Sequence, residues 1–454
     1  MKALGSDKQH IIIIGNGIAG TTAARHIRKN SDYQITMISG ESMYPFSRTA
    51  LMYIYMGHMK FEHTKLYEDN FWVKNRINIV NAWVQNIEIV DKSVLLHDGR
   101  SLKYDKLIIA TGSKSNKFGW PGQDLQGVQG LYHLQDLESM EAATKQGIKR
   151  AVIVGGGLIG IEMVEMFHSR HIPVTFLVRE TSFWNNILPA DESEMINKHI
   201  VAHGIDLRLN EELLEIKGYD GKVTSVTCKY SGHEIGCEFV GLTVGVSPNI
   251  DIVKQSGIST NKGILVNEEL QTSVEDIFAI GDCAEMASPT KGRRPIEAVW
   301  YTGRMMGETV AKTICGQSTK YNPGIWFNSA KFFDIEYQVY GDIPAVTTDN
   351  ITSLYWQHPS ENKAIRINYE TTTGYVTGFN LMGIRYRHAV CEKWIKDKIS
   401  IETVIENLSL ANFDPEFFDE YESAFVDIYN QKSGTSLKLK TKRKLSLVEQ
   451  FLYS

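Results

Sequence analysis

Residues 11–20 read I-I-I-I-G-N-G-I-A-G, and this stretch decides the fold. Four consecutive β-branched apolar residues suit a strand buried on both faces, as in a parallel sheet. Gly15, Gly17 and Gly20 then allow a tight turn, close approach of backbone to a pyrophosphate, and close packing of the next helix. Ile18 and Ala19 open a helix-forming run through Lys29, whose unpaired N–H groups face the anion site. One such match specifies little. Residues 151–160, A-V-I-V-G-G-G-L-I-G, repeat it, with Gly155, Gly157, Leu158, Ile159 and Gly160 in matching places. Two copies in one chain imply two dinucleotides held against one another.

Composition bounds the rest. With 454 residues, 43% of them apolar, the chain can fill several cores. A net charge of −5 gives no reason to expect nucleic acid. No apolar run of about 18 residues is present, so no transmembrane helix is expected. The opening residues 1–10 are polar and lack the apolar centre of a signal peptide, so the expected location is cytoplasmic. Cys228, Cys237, Cys283, Cys315 and Cys391 form no C-x-x-C pair. They read as reduced structural thiols, with no dithiol redox pair, no zinc knuckle and no metal centre expected.

After the first helix, residues 33–39 (Y-Q-I-T-M-I-S) read as a second parallel strand. Glu41 stands just past it, about where a Rossmann unit places an acid on the ribose hydroxyls. Residues 44–57, Y-P-F-S-R-T-A-L-M-Y-I-Y-M-G, form an aromatic segment beginning at a Pro turn. Residues 93–104 read as a hairpin turning at Asp98-Gly99. Residues 104–112 end another buried strand in small residues. Residues 113–130 read as a linker, and residues 205–241 alternate as a small antiparallel sheet. Residues 174–180 end in Arg179 and Glu180, of which an acid suits NADH and an arginine suits NADPH. Which nucleotide is preferred stays open at this point.

Pro45, Phe46, Arg48, Leu51 and Gly57, with the two glycine motifs, resemble the two-dinucleotide flavoproteins of the pyridine nucleotide–disulfide oxidoreductase superfamily. The nearest likeness is to rubredoxin and ferredoxin reductases and to the flavin module of nitrite reductases. The resemblance implies an α/β fold of two Rossmann-like FAD- and NAD(P)-binding domains, glutathione reductase-like, with an α+β C-terminal domain. It places the FAD domain at 1–116 and 249–318, the NAD(P) domain at 117–248, the C-terminal domain at 319–434 and a basic tail at 435–454. By the same likeness Arg48 contacts FAD, Val84 meets the adenine, and Ala110, Thr111 and Gly112 form the A-T-G turn. In G-G-G-L-I-G-I-E, Glu162 lies beside the nicotinamide. Gly245 approaches cofactor backbone-first, and Asp282, in T-S-V-E-D-I-F-A-I-G-D, holds the ribityl chain. A helix beginning at Pro295 would aim its positive end at the flavin, with Glu297 and Trp300 near the isoalloxazine.

Relatives that use thiol chemistry carry a cysteine where Thr49 stands, so that chemistry is not expected. The expected reaction passes a hydride from NAD(P)H to FAD and electrons on to an acceptor, a small redox protein of the rubredoxin or ferredoxin kind or a small molecule. Two other readings stay open: an NAD(P)H oxidase or peroxide-forming flavoenzyme, and a flavin-binding assembly or signalling protein with redox-dependent association. A homodimer is among the expected assemblies. Lys438, Lys440, Lys442, Arg443 and Lys444 precede Leu445, Leu447 and Phe451, a pattern that suits an acidic partner or an anionic membrane surface.

Overall fold

The structure, a computed structural model, describes residues 8–413 and 419–440. The Ile run forms the strand His10–Ile14, and its Ile11–Ile13 are wholly buried, as the unbroken apolar pattern requires. It sits centrally in a five-stranded parallel sheet. In spatial order the strands are Ile77–Asn81, Gln34–Ser39, His10–Ile14, Lys106–Ile109 and Ile277–Ala279. The second glycine motif organises a matching parallel sheet. There the order is Asp206–Leu209, Val174–Val178, Ala151–Val154, Phe239–Leu242 and Val128–Gln129.

The chain crosses between the sheets twice, through Ser113–Ser115 and Val246–Pro248, which pair antiparallel. Residues 205–241 divide, contrary to the single small sheet expected. Only Leu213–Tyr219, Lys222–Cys228 and Glu234–Gly236 form it, while the flanking strands join the parallel sheet. The flanking pairs Asp206–Leu209 and Phe239–Leu242 lie beside strands that the local pattern could not foresee. Register with a distant neighbour overrides local alternation.

Helix Trp300–Ile314 lies against helix Ile18–Asn30 where glycine permits it: a Cβ on Gly307 would fall 2.6 Å from the Ala19 carbonyl oxygen. The first helix is thereby held between its own sheet and the returning segment.

The C-terminal part is an antiparallel sheet ordered Phe327–Phe332, Ile335–Gly341, Val376–Met382, Ala364–Glu370 and Ile351–Gln357. Helices His388–Lys396, Ile401–Glu406 and Glu422–Ser433 cover one face. Phe332, Ile335, Tyr337 and Met382 share a core with Phe176, Phe183 and Ile196 of the second parallel unit. A buried fork fixes that docking. Arg366 Nε and Nη2 donate to the Glu192 carboxylate at 2.7 and 2.8 Å, and Asn380 Nδ2 adds a bond at 3.0 Å. Among the described residues no helix is long and apolar enough to cross a membrane. The basic tail lies outside the described residues from 441 onward, although Lys440 pairs with Glu406 at 2.8 Å.

Candidate active site

All five strands of the first sheet deliver residues from their carboxyl ends to one cavity of about 400 Å³: Ile14, Ser39, Ala82, Ala110 and Ile280. That is where an open parallel sheet receives a ligand. Leu158, Ile159 and Glu162 reach the same cavity from the start of helix Leu158–Ser169 in the second unit.

At the glycine end, Gly15 takes φ +109°, a backbone that L side chains resist. A Cβ on Gly20 would lie 2.1 Å from the Gly15 carbonyl oxygen, so only glycine lets the helix seat on the turn. A Cβ on Gly17 would meet nothing, and no side chain caps the helix there. The first-turn N–H groups therefore face open space, ready for an anion. The second copy repeats this: Gly155 has φ +113°, and a Cβ on Gly160 would lie 2.1 Å from the Gly155 oxygen. Gly155, Gly157 and Gly160 themselves stay out of the cavity wall.

Glu41 and Arg48 both line the cavity and pair with each other at 2.7 and 2.6 Å. Glu41 Oε1 also accepts the Leu134 N–H at 2.9 Å, and Arg48 Nη1 donates to the Tyr132 carbonyl. Burial works to raise the Glu41 carboxyl. The His133 ring 3.6 Å away, the Arg48 guanidinium and the Leu134 N–H outweigh it and hold the group down at about 2. Of a carboxylate's roughly four acceptor positions, three are taken, which leaves one on Oε2.

Asp282 sits in the turn Gly281–Cys283 and accepts from Ser113 Oγ at 3.1 Å and from the Tyr132 hydroxyl at 3.0 Å. Burial raises its carboxyl despite these donors and the nearby Arg48. Burial, then the Asp282 charge, raises the Tyr132 hydroxyl, which stays protonated and donating. Glu162 differs from both acids. No donor among the described residues reaches its carboxylate, and burial followed by the Glu165 charge pushes it up to about 7. Glu165 itself pairs with Lys331 at 2.8 Å. An unpaired carboxyl facing the cavity and titrating near neutrality can accept an amide hydrogen bond or exchange a proton.

A profile of the pyridine nucleotide-disulphide oxidoreductase family matches residues 9–307. The chain belongs to this family. Its enzymes are FAD-dependent NAD(P)H oxidoreductases, and this chain is one. It is 29% identical over 339 residues to a nitrite reductase [NAD(P)H] of Bacillus subtilis, covering 74% of this chain but only 41% of that relative. It is 28% identical over 407 residues to an NADH-rubredoxin oxidoreductase of Clostridium acetobutylicum, covering 88% of this chain and 99% of that one. A solved ferredoxin reductase from Rhodopseudomonas palustris has the same fold, with a TM-score of 0.75 at 23% identity over 83% of this chain and 91% of that one.

In this oxidoreductase the remaining expected residues are distributed unevenly. Val84, Thr111 and Gly112 line the cavity with Ile18 and Ala19. Gly245, with φ +87°, lies one residue outside its wall, which Val246 completes. Arg179 is 71% exposed, bonded through Nε to Glu180 at 2.8 Å, and both lie away from this cavity. Glu297 must be corrected. Its carboxylate is held by Arg293 at 2.5 Å, and it lines a separate small cleft with Tyr321. The expected helix start at Pro295 is corrected with it: the helix begins at Trp300, after extended Val299. The Arg293 pairing and the bond from Met286 N to the Pro295 carbonyl keep residues 295–299 out of helical geometry. Trp300, not Glu297, faces the cavity.

Among the cavity residues that escaped the sequence reading, Tyr132 and Trp83 stand out. Tyr132 joins Asp282, Ser113 and Arg48, yet in G-L-Y-H-L-Q-D its only local signal is the helix cap formed by Asp136. Trp83 stacks across Gly40, where a Cβ would meet its ring at 2.1 Å; a glycine directly after the strand was the available clue. Thr49 lines the wall, while Cys283 is fully buried behind it and bonded to backbone carbonyls.

Proposed function

We propose that the cavity takes FAD with its pyrophosphate on residues 15–18, and that this enzyme reduces a small redox protein at the expense of NAD(P)H. The observation that carries the reading is the single cavity shared by the first glycine turn, Asp282 and Glu162. The residues fit the cofactor: glycines where a Cβ would block, uncapped helix N–H groups, and an acid with one acceptor position left.

When bound, FAD supplies a two-electron acceptor that can release its electrons one at a time. The N–H groups at Gly17–Ala19 hold the pyrophosphate, and the spare position on Glu41 Oε2 receives a ribose hydroxyl. Trp83 and Val84, both on the cavity wall, would hold the adenine. Arg48 commits three of its five donors to Glu41 and the Tyr132 carbonyl, which fixes that acid and the loop before helix Leu134–Thr144, and its Nε–H and second Nη2–H remain for the cofactor. Asp282, oriented by Tyr132 and Ser113, accepts from the ribityl hydroxyls. Glu162 would accept from the nicotinamide carboxamide and so orient the reductant, and positioning of this kind supplies most of the rate.

No cysteine lines this cavity, so electrons leave without a protein dithiol. A small iron–sulfur or rubredoxin-type acceptor fits that requirement, and the likeness to the clostridial rubredoxin oxidoreductase supports it. The test is anaerobic stopped-flow. NADH should bleach the flavin with no thiol titrating, and added rubredoxin or ferredoxin should restore its absorbance faster than air does. Reoxidation by dioxygen alone at the faster rate would overturn the acceptor assignment. A refolded chain that binds no flavin would overturn the whole reading.

A further inference from the structure

Away from the cavity, helix Ala190–Ala202 ends in two histidines one turn apart. His199 lies on its last turn, and His203 is its C-cap. Residues i and i+4 share a helix face. Across from them the hairpin between Phe327–Phe332 and Ile335–Gly341 turns at Phe333 and Asp334. Ligating atoms of His199, His203 and Asp334 all lie within 4.8 Å of one another.

We propose that these three side chains form a binding site for a divalent transition ion of the zinc class, clamping the C-terminal hairpin onto the second nucleotide-binding unit. Three features support it. First, His203 Nδ1 lies 2.9 Å from the His199 carbonyl oxygen and can only donate to it, which leaves Nε2 with its lone pair available. Its ring is held by stacking on Phe333, 4.2 Å between centroids and 18° between planes.

Second, His199 Nε2 meets Asp334 Oδ1 at 2.5 Å while its Nδ1 meets the Asn362 amide at 2.9 Å. A metal ion replaces the proton between His199 and Asp334. The ring proton then resides on Nδ1 and is donated to Asn362 Oδ1 once the amide turns over. Asn362 becomes the outer partner that orients a ligating imidazole.

Third, the required movement is small. Ligands about 2.05 Å from a tetrahedral centre stand roughly 3.3 Å apart. Asp334, 77% exposed at a turn, is free to swing outward, whereas the His199 side chain is only 5% exposed and fixed. Two imidazoles and one carboxylate favour zinc, nickel or copper over calcium or magnesium, and three protein ligands leave one position to water.

The test uses untagged, FAD-loaded protein stripped with EDTA and titrated with zinc chloride by calorimetry. One zinc per chain is expected, with a matching rise in thermal midpoint. Asp334→Ala, on an exposed turn where folding is not at stake, should weaken binding at least tenfold, as should His203→Ala. Asn362→Ala should cost roughly tenfold through lost orientation. An anomalous peak at the zinc edge beside His203 Nε2 would confirm the placement. Absence of saturable binding in the wild type, or unchanged affinity in the His203→Ala, Asp334→Ala double variant, overturns the proposal.

Discussion

Single side chains in the cavity differ in charge because their neighbours differ, and this sets their pH behaviour. Glu162, pushed up to about 7 by burial and then by Glu165, changes from mostly protonated to mostly ionised across neutrality. The ionised form is the better acceptor for a carboxamide. Flavin reduction at low NADH should therefore rise as pH passes through about 7, and Glu162→Gln should flatten that profile and lower the rate roughly tenfold. Rapid-mixing absorbance from about pH 5.5 to about 8.5 checks it.

Glu41 behaves oppositely. Its folded carboxyl is held at about 2, below its ordinary 4.5, so its contribution is complete above about 4.5 and fades as pH falls towards 2. Glu41→Gln should cost about 3 kcal/mol at pH 7, with the deficit narrowing in acid, as read by urea unfolding. Arg179 is exposed and bonds through Nε to Glu180, which leaves the Nη end of its guanidinium open to a 2′-phosphate. Arg179→Ala should lower kcat/KM for NADPH relative to NADH by about tenfold, the size of one charge-assisted bond. An unchanged ratio removes Arg179 from nucleotide selection.

Among elements, the two strand–turn–helix units are built to one plan and should fail separately. Gly20→Ala forces a Cβ against the Gly15 oxygen, and Gly160→Ala does the same against Gly155, each at 2.1 Å. Overpacking of this kind costs about 1–3 kcal/mol. The first variant should lose flavin on gel filtration. The second should keep its flavin and show a raised KM for NADH. Both units were legible because the apolar run, the glycine spacing and the helix all lie within twenty residues. The helix expected from Pro295 was not, because Arg293 ties Glu297 back and delays the first turn to Trp300. That tie is a side-chain bond on a loop, which hydrophobic periodicity does not report.

In the whole molecule, the C-terminal sheet rests on the second nucleotide-binding unit through the Arg366–Glu192 fork, with side chains 8% and 1% exposed. Arg366→Met would leave Glu192 buried without its cation and should cost about 3–5 kcal/mol. Arg366→Met with Glu192→Met should recover most of that loss, because paired burial of charge gains little over well-packed apolar groups. Stepwise chemical unfolding, followed by tryptophan fluorescence and flavin release, separates the undocking of the C-terminal part from loss of the cofactor. Among the described residues, none of 319–413 lines the cavity.

What the sequence by itself determined is the pair of dinucleotide-binding units, from short-range patterns of apolar residues and glycine, and the cofactor class and family, from the likeness carried by residues 45–48, residues 110–112 and Asp282. The tertiary structure alone decided that Tyr132 joins Asp282, that Glu41 pairs with Arg48, that Glu297 faces away, and that His199 and His203 meet Asp334. Those partners lie 7 to 150 residues apart, except for the short Arg293 tie, and only the folding of distant strands brings their charges and donors within bonding distance.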